Sequence, residues 1–213
     1  MLNINKLRKD YQLESLHKSK LNPDPFLQFK TWFKEAIEAA VLEPNAMCLA
    51  TANLKGEPSC RMVLLKGIDE RGFCFYTNYE SKKGQDLAEN PKACATFFWK
   101  ELERQVIIAG SVEKLDQEQS RQYFASRPRG SQLAVWASPQ SRTIPSRVEL
   151  EQEYQRLEKK FEGLEVTMPN YWGGYRIMPQ AFEFWQGRPN RLHDRLRYFR
   201  EGGGHWLIER LAP

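Results

Sequence analysis

The spacing of apolar residues changes several times along this chain, and each change marks a new element. After Asp24-Pro25, Phe26, Phe29, Phe33, Ile37, Ala40 and Val41 recur at steps of three and four, the period of a helix with one apolar face. Asp24 suits the N-cap and Pro25 the first helical position, and Pro44 ends the run. From residue 46 the pattern shortens to AMCLATA, RMVLLKGI, FCFYTN, ACATFFW and RQVIIAGSVEKL. These runs are rich in β-branched and aromatic residues and are separated by turn chemistry at 53–58 and 69–72, so they predict strands. A short helix over 82–89 stops before Pro91. Asp116 caps another, DQEQSRQYFAS, which must end near Arg127 because Pro128 follows. Residues 128–145 read as a loop, and 146–161 as a charged helix. The strand pattern then returns in YWGGYRIMP, AFEFWQG, LRYFRE and HWLIERL, the last two joined by Gly202-Gly203-Gly204 as a hairpin. The fold class expected is α+β, mainly an antiparallel sheet or barrel with peripheral helices. Residues 1–23 form a polar N-terminal arm, and 24–213 a single domain.

Length and charge narrow the function. A chain of 213 residues with 41% apolar and 28% charged residues can bury a core. Its 32 basic residues against 27 acidic ones leave +5, a hint of an anionic partner. No stretch has the length of a membrane span. The first 25 residues lack the apolar segment of a secretory signal. The four cysteines (Cys48, Cys60, Cys74, Cys94) form no CxxC pair, so neither a zinc site nor a redox motif is indicated, and a cytoplasmic protein is expected. GxGxxG after a strand, GxxxxGK[ST], GxSxG and HExxH are all missing. Three histidines are too few for a histidine-rich metal centre, so no metal is expected.

Four constellations could carry chemistry. In Arg61-Met-Val-Leu-Leu-Lys66, strand alternation places Arg61 and Lys66 on opposite faces. In the run from Tyr76-Thr77 to Lys82-Lys83, Ser81 is a candidate N-cap. The two lysines would then sit in a first helical turn, where cations are unfavourable unless an anion is bound. Tyr123, Arg127 and Ser131 recur at steps of four, the first two on one helix face and the third in a glycine-containing loop. All three donate well to phosphate oxygens. Around them, residues 121–147 hold five arginines and no carboxylate, so those charges lack local partners. Finally, Arg191, His193 and Arg195 alternate beside Trp185, which would put all three on one side of an extended segment. A tryptophan beside arginines suits a flat anionic ligand, and His193 could titrate near neutrality.

Together, RMVLLK, FYTNYESKKGQDLAENP, LERQV, YFASRPRGSQ, WASPQS, YWGGYR and FWQGRPNRLHDR resemble the pyridoxamine/pyridoxine 5′-phosphate oxidase family, as does the terminal LIERLAP. The resemblance runs from about residue 7 to 213 in one order. It implies a split β-barrel, a homodimer, and FMN at the subunit interface. It also implies oxidation of pyridoxine or pyridoxamine 5′-phosphate to pyridoxal 5′-phosphate. A hydride passes from C4′ to flavin N5, dioxygen is the final acceptor, and hydrogen peroxide is released, with ammonia from the amine. Carried over by position, Arg61, Met62, Val63, Leu64, Leu65, Lys66, Tyr76, Thr77, Lys82 and Lys83 would hold FMN. Gln105, Gln140, Ser141, Trp185 and Arg195 would complete its site. Lys66, Tyr123, Arg127 and Ser131 would grip the substrate phosphate. Arg191 and His193 would lie over the pyridine ring as the catalytic pair, with Arg8 and Tyr11 as a lid. Lys82-Lys83 stands where many members have Arg-Lys, and Arg188-Pro189-Asn190 looks less usual.

Parts of the sequence also suit other function classes. A basic span with 12% aromatic residues would suit an RNA binder, yet RNP-like and GXXG motifs are missing. A non-enzymatic carrier of pyridoxal 5′-phosphate, or another split-barrel flavin enzyme, would keep the barrel and change the ligand. Without Arg8, Arg61, Lys66, Lys82, Lys83, Arg127, Arg191 and Arg195 the chain would hold 24 basic against 27 acidic residues. The basic surplus thus sits at the expected phosphate contacts, and neither nucleic acid nor membrane is expected as a partner.

Overall fold

A computed structural model describes residue 3 and residues 10–201 and 204–213. Among the described residues nine strands form one sheet: β1 Ala46–Ala52, β2 Pro58–Leu64, β3 Gly67–Ile68, β4 Phe73–Asn78, β5 Lys92–Trp99, β6 Arg104–Lys114, β7 Trp172–Gln186, β8 Asp194–Arg200 and β9 Trp206–Leu211. Five α-helices accompany them: α1 Pro25–Glu38, α2 Lys82–Glu89, α3 Gln117–Ser126, α4 Arg129–Ala137 and α5 Arg147–Lys160. The strand order is β2-β1-β5-β6-β7-β4-β3, with β8 on β7 and β9 on β8. The β3–β4, β4–β7, β7–β8 and β8–β9 pairs are antiparallel, so the α+β class expected from the pattern is met. No helix among the described residues is long and apolar enough to cross a membrane.

The chain forms two compact units. The first comprises Met1–Leu49, Cys94–Gly110 and Pro179–Pro213; the second comprises Ala50–Ala93 and Ser111–Met178. In the first unit, α1 starts where the sequence placed it: Asp24 Oδ1 accepts from Phe26 N at 2.8 Å and Pro25 takes the first turn. Its buried face is Pro25, Gln28, Phe29, Trp32 and Ala36, which corrects the expected stripe. Ile37 is 55% exposed. Trp32 turns the helix, because its indole packs edge-on to Phe184 at 5.2 Å. The helix also ends at Glu38, six residues before Pro44, and the chain turns through Ala40 and Glu43 at positive φ. Phe29 packs on Phe97 at 5.1 Å, and Phe184 on Tyr198 at 5.4 Å. Such buried aromatic pairs contribute roughly 0.5–1.5 kcal/mol each beyond their area.

In the second unit, α2 spans the expected residues. Ser81 is its N-cap, and the Ser81 hydroxyl donates to Asn78 O at 2.7 Å. Gly84 is required by close approach: a Cβ there would lie 2.1 Å from the carbonyl oxygen of Tyr79. Gly84→Ala should therefore lower stability by about 2 kcal/mol, several degrees in Tm for a chain of this size, measurable by thermal melting. Asp116 caps α3 through Gln119 N at 2.7 Å, and Ser146 caps α5.

Three expectations fail here. Residues 128–145 are not a continuous loop, since they contain α4. Gln132 donates to Phe124 O and Ala125 O, and Leu133 and Ala137 join Phe124, Leu157, Phe161, Val166 and Trp172 in a buried cluster. Lys66 does not sit on β2, which ends at Leu64; its backbone N–H instead bonds Cys74 O at 2.8 Å. The two strands expected within 171–187 are one strand, β7. Of the glycine hairpin, Gly202 and Gly203 lie outside the described residues, while β8 and β9 pair from Arg200↔Trp206 to Arg195↔Leu211.

Candidate functional site

The second unit contains a cavity of about 570 Å³, within the range of small-molecule sites. Its apolar wall includes Met62, Val63, Leu64, Val135 and Trp172, and its polar groups include Lys66, Thr77, Lys83, Arg127, Ser131 and Gln140. Residues from β2, β4, the start of α2, the α3–α4 junction and the segment after α4 thus meet. Tyr76 and Tyr123 stack at 3.8 Å with an 18° interplanar angle, and both line the same cavity. Burial pushes the Tyr76 phenol up to about 12, so it stays protonated as a donor.

Among the cations of this cavity, Lys83 and Arg127 are the two with buried nitrogen atoms, and neither has a carboxylate partner among the described residues. Lys83 is buried, and its Nζ donates to Thr77 Oγ1 at 3.1 Å and Gln140 Oε1 at 3.0 Å. Burial, with the charge of Arg61 second, pulls its pKa down to about 8. Arg127 follows α3 as its C-cap and extends over the Trp172 ring at 4.9 Å. Its Nη1 is buried with no hydrogen-bond partner among the described residues. Burial moves the Arg127 guanidinium below its ordinary pKa. A buried unpartnered guanidinium nitrogen is costly unless something fills it. An anion from outside the chain would satisfy both groups.

The other arginines of 121–147 are engaged, contrary to the expectation that they lack partners. Arg121 pairs with Glu118 at 3.4 Å, Arg142 with Glu80 at 2.6 Å and Arg147 with Glu151 at 2.6 Å. Arg129 donates to Phe161 O and Leu164 O. Within that span the orphan donor is Arg127, which argues for one small ligand rather than an extended polyanion. Ser131 lies in the first turn of α4 rather than in a loop. Ser141, at φ 70°, follows Gln140 and is exposed.

Beside the cavity, Lys82 is half-exposed and ion-paired with Asp86 four residues on. Lys83 lines the cavity, whereas Lys82 lies outside its lining. Arg61 donates to Thr51 Oγ1 at 2.8 Å and to Ser59 Oγ at 2.5 Å. The sequence reading missed Asp86, Thr51 and Ser59; the i,i+4 spacing of Lys82 and Asp86 was the available signal.

The first unit carries a separate cluster. Trp185 lies 4.7 Å from His193, and Tyr11 meets both rings at 5.6 and 5.8 Å. Gly187 provides the seat for Tyr11, since a Cβ there would lie 2.6 Å from the Tyr11 Cγ. Arg188 N donates to His193 Nδ1 at 3.1 Å. Burial first, then the charge of Arg191, holds the His193 pKa below its usual value; with Nδ1 accepting from Arg188, the ring is the neutral tautomer that carries its proton on Nε2. Arg191 is not in an extended segment with His193 and Arg195, as alternation suggested. It lies in a 3-10 turn, Pro189–Arg191, at φ 60° and exposed, and β8 begins only at Asp194. Arg195 is held by Glu183 at 2.8 and 3.0 Å and donates to Ala212 O. Gln105 is half-buried on β6. Arg8 lies outside the described residues. No group of three metal-ligating side chains occurs among the described residues.

Comparison with known proteins adds an independent line. Residues 33–161 match the family model described as pyridoxamine 5′-phosphate oxidase. Residues 172–213 match that of the pyridoxine 5′-phosphate oxidase C-terminal dimerisation region. A pyridoxine/pyridoxamine 5′-phosphate oxidase from Gloeothece citriformis is 57% identical over 207 residues, 97% of each chain. The crystal structure of PhzG from Burkholderia lata, in complex with tetrahydrophenazine-1-carboxylic acid, is similar at a TM-score of 0.88 and 32% identity, over 94% of this chain and 99% of that one. An FMN-binding, pyridoxamine 5′-phosphate oxidase-related protein from Nostoc punctiforme has the same fold at a TM-score of 0.69 and 16% identity, over 91% and 99%. The split-barrel expectation is met by these likenesses.

Proposed function

The chain belongs to the pyridoxamine 5′-phosphate oxidase family, and from that premise we propose that it uses FMN to oxidise pyridoxine or pyridoxamine 5′-phosphate to pyridoxal 5′-phosphate. Dioxygen takes the two electrons and leaves as hydrogen peroxide; the amine substrate also takes up water and releases ammonia. The working form is a homodimer, in keeping with the dimerisation region matched by residues 172–213. Four free cysteines are in keeping with the cytoplasm.

The observation that carries this reading is the orphaned Nη1 of Arg127 in a cavity that also holds the carboxylate-free Lys83. Two separate cations fit two phosphate groups, each bringing nearly two negative charges. Lys83, Thr77 and Gln140, with Arg61 and Lys82 beside them, hold the cofactor phosphate. Arg127, Ser131, Tyr123 and Lys66 hold that of the substrate. The wall of Met62, Val63 and Leu64 suits a flat flavin ring. Bound FMN supplies the two-electron acceptor for the hydride lost from substrate C4′. Trp185, Arg195, Gln105, Ser141, Met62 and Leu65 remain assigned to the cofactor, and Arg8 and Tyr11 to a lid.

His193 and Arg191 position the pyridine ring. His193 spends Nδ1 on the Arg188 amide, which fixes its orientation and keeps Nε2–H as the donor offered to substrate. Being neutral, it adds no positive charge near a carbon that must lose hydride. PhzG is seen in complex with tetrahydrophenazine-1-carboxylic acid, whereas the set of Arg127, Ser131 and Tyr123 favours a phosphorylated substrate here. FMN-loaded protein given pyridoxine 5′-phosphate in air should form peroxide and pyridoxal 5′-phosphate in equal amounts. Loaded protein that turns over neither phosphorylated vitamer would overturn the proposal.

A further inference from the structure

Asp86 is the most buried carboxylate near the cavity, at 1% exposure, and it belongs to none of the roles assigned above. Its Oδ1 pairs with Lys82. Its Oδ2 accepts from the Thr51 hydroxyl at 2.7 Å and the Ser59 hydroxyl at 2.8 Å. The same two hydroxyl oxygens accept from Arg61, at 2.8 and 2.5 Å. A carboxylate can only accept and a guanidinium can only donate. Each hydroxyl must therefore point its proton at Asp86 and its lone pairs at Arg61. The carboxylate thus sets the direction of both relays. Burial alone would raise the Asp86 pKa, but the donors from Lys82, Thr51 and Ser59 outweigh it and hold the group ionised.

We propose that Asp86 is the positioning residue of the cofactor-phosphate site, fixing Arg61 through the Thr51 and Ser59 hydroxyls and Lys82 through a direct ion pair. The inference rests on the assignment of Lys83 and its neighbours to the FMN phosphate. Charge supports it as well as geometry. Arg61, Lys82 and Lys83 against one carboxylate leave two net positive charges, the complement of a phosphomonoester dianion. Asp86 does not touch the ligand. It acts on the phosphate end of the site and leaves the flavin ring's surroundings unchanged.

Asp86→Asn tests this. An amide keeps the shape but cannot accept on both sides. Either its NH₂ faces Lys82 and releases it, or it faces the hydroxyls and turns their protons toward Arg61. FMN binding to apo-protein, followed by flavin fluorescence, should weaken about tenfold, the range of one charge-assisted hydrogen bond. Binding of phosphate-free riboflavin should not change. Ser59→Ala and Thr51→Val, which each remove one relay and keep the Asp86–Lys82 pair, should show the same selective loss, and they carry the test if the Asp86 variant does not fold. Wild-type protein that binds no FMN would defeat the assignment of the site itself. Wild-type binding with FMN unaffected in the variants, or with FMN and riboflavin weakened alike, would defeat the role of Asp86 alone.

Discussion

Replacing Arg127 with methionine should raise the KM for pyridoxine 5′-phosphate about a hundredfold while leaving FMN binding unchanged and the fold at least as stable. The guanidinium lies over Trp172 at 4.9 Å with Nη1 buried and unpartnered among the described residues. A buried charge left without a partner is unfavourable by several kcal/mol in the worst cases, and the lowered Arg127 pKa has that cause. The free protein holds this unfavourable arrangement, and the proposed substrate phosphate would relieve it. Two charge-assisted bonds to a phosphate, at about 1.5 kcal/mol or more each, correspond to roughly two orders of magnitude in affinity. Methionine retains the aliphatic contact with Trp172 and removes the charge. The helix end survives because it depends on the Arg127 backbone N–H to Phe124 O, at 3.2 Å. Steady-state kinetics and thermal melts on one preparation decide the matter. An unchanged KM would remove Arg127 from the substrate site.

Lys83→Met should yield colourless protein, with FMN bound about a hundredfold more weakly. Lys83 is the buried cation of the α2 start, and its partners Thr77 and Gln140 are neutral. Its pKa of about 8 in the free protein gives the binding a distinct pH dependence. A bound phosphate favours the ammonium form and raises that pKa. Below pH 8 the lysine is already protonated, so binding needs no proton. Above pH 8 binding takes one up, and affinity falls by as much as about tenfold per pH unit until the bound-state pKa is reached. On the acid side, affinity declines as the phosphate itself protonates near pH 6. Stability of the free protein runs the other way. The unfolded chain holds the Lys83 proton more tightly than the folded one, so stability rises with pH between about 8 and the ordinary lysine value of 10.5. Calorimetric titration of FMN at pH 9 in buffers of different ionisation enthalpy reports the proton uptake directly. The methionine variant should show none from this group.

Much of the fold was legible in the sequence because local chemistry and tertiary packing agreed. Ser81 and Asp116 are caps in the sequence and caps in the structure. β4 occupies the FCFYTN run read as a strand. Disagreement came where packing overrode local signals. Pro128, Gly130 and Pro139 made residues 128–145 look like a loop, yet Leu133 and Ala137 are drawn into a buried cluster and α4 forms. Pro179 suggested a break in β7. It falls between the residues that pair with β4 and those that pair with β8, where a missing N–H is tolerated. On α1, Trp32 displaced the phenylalanine stripe from the centre of the buried face.

The site was legible as residue types but not as an arrangement. Tyr76, Thr77, Lys83, Tyr123, Arg127, Ser131 and Gln140 do line one cavity. A run of five arginines without nearby acids could not reveal which charge stays unpaired, because Glu80, Glu118 and Glu151 answer three of them. Nor could the sequence show that Asp86 is buried rather than solvated, since a carboxylate on a short, mostly polar helix reads as surface. The Arg191 turn was hidden for a related reason: its left-handed φ of 60° falls on a residue type that rarely adopts it.

On the proposed reading, this chain brings a flavin and a phosphorylated pyridine together for hydride transfer. The most direct measurement is the absorbance spectrum of FMN-loaded protein before and after anaerobic addition of pyridoxine 5′-phosphate. The flavin band should bleach without oxygen and return when air is admitted, with pyridoxal 5′-phosphate formed in the first step. A band that persists with both pyridoxine and pyridoxamine 5′-phosphate would contradict the account.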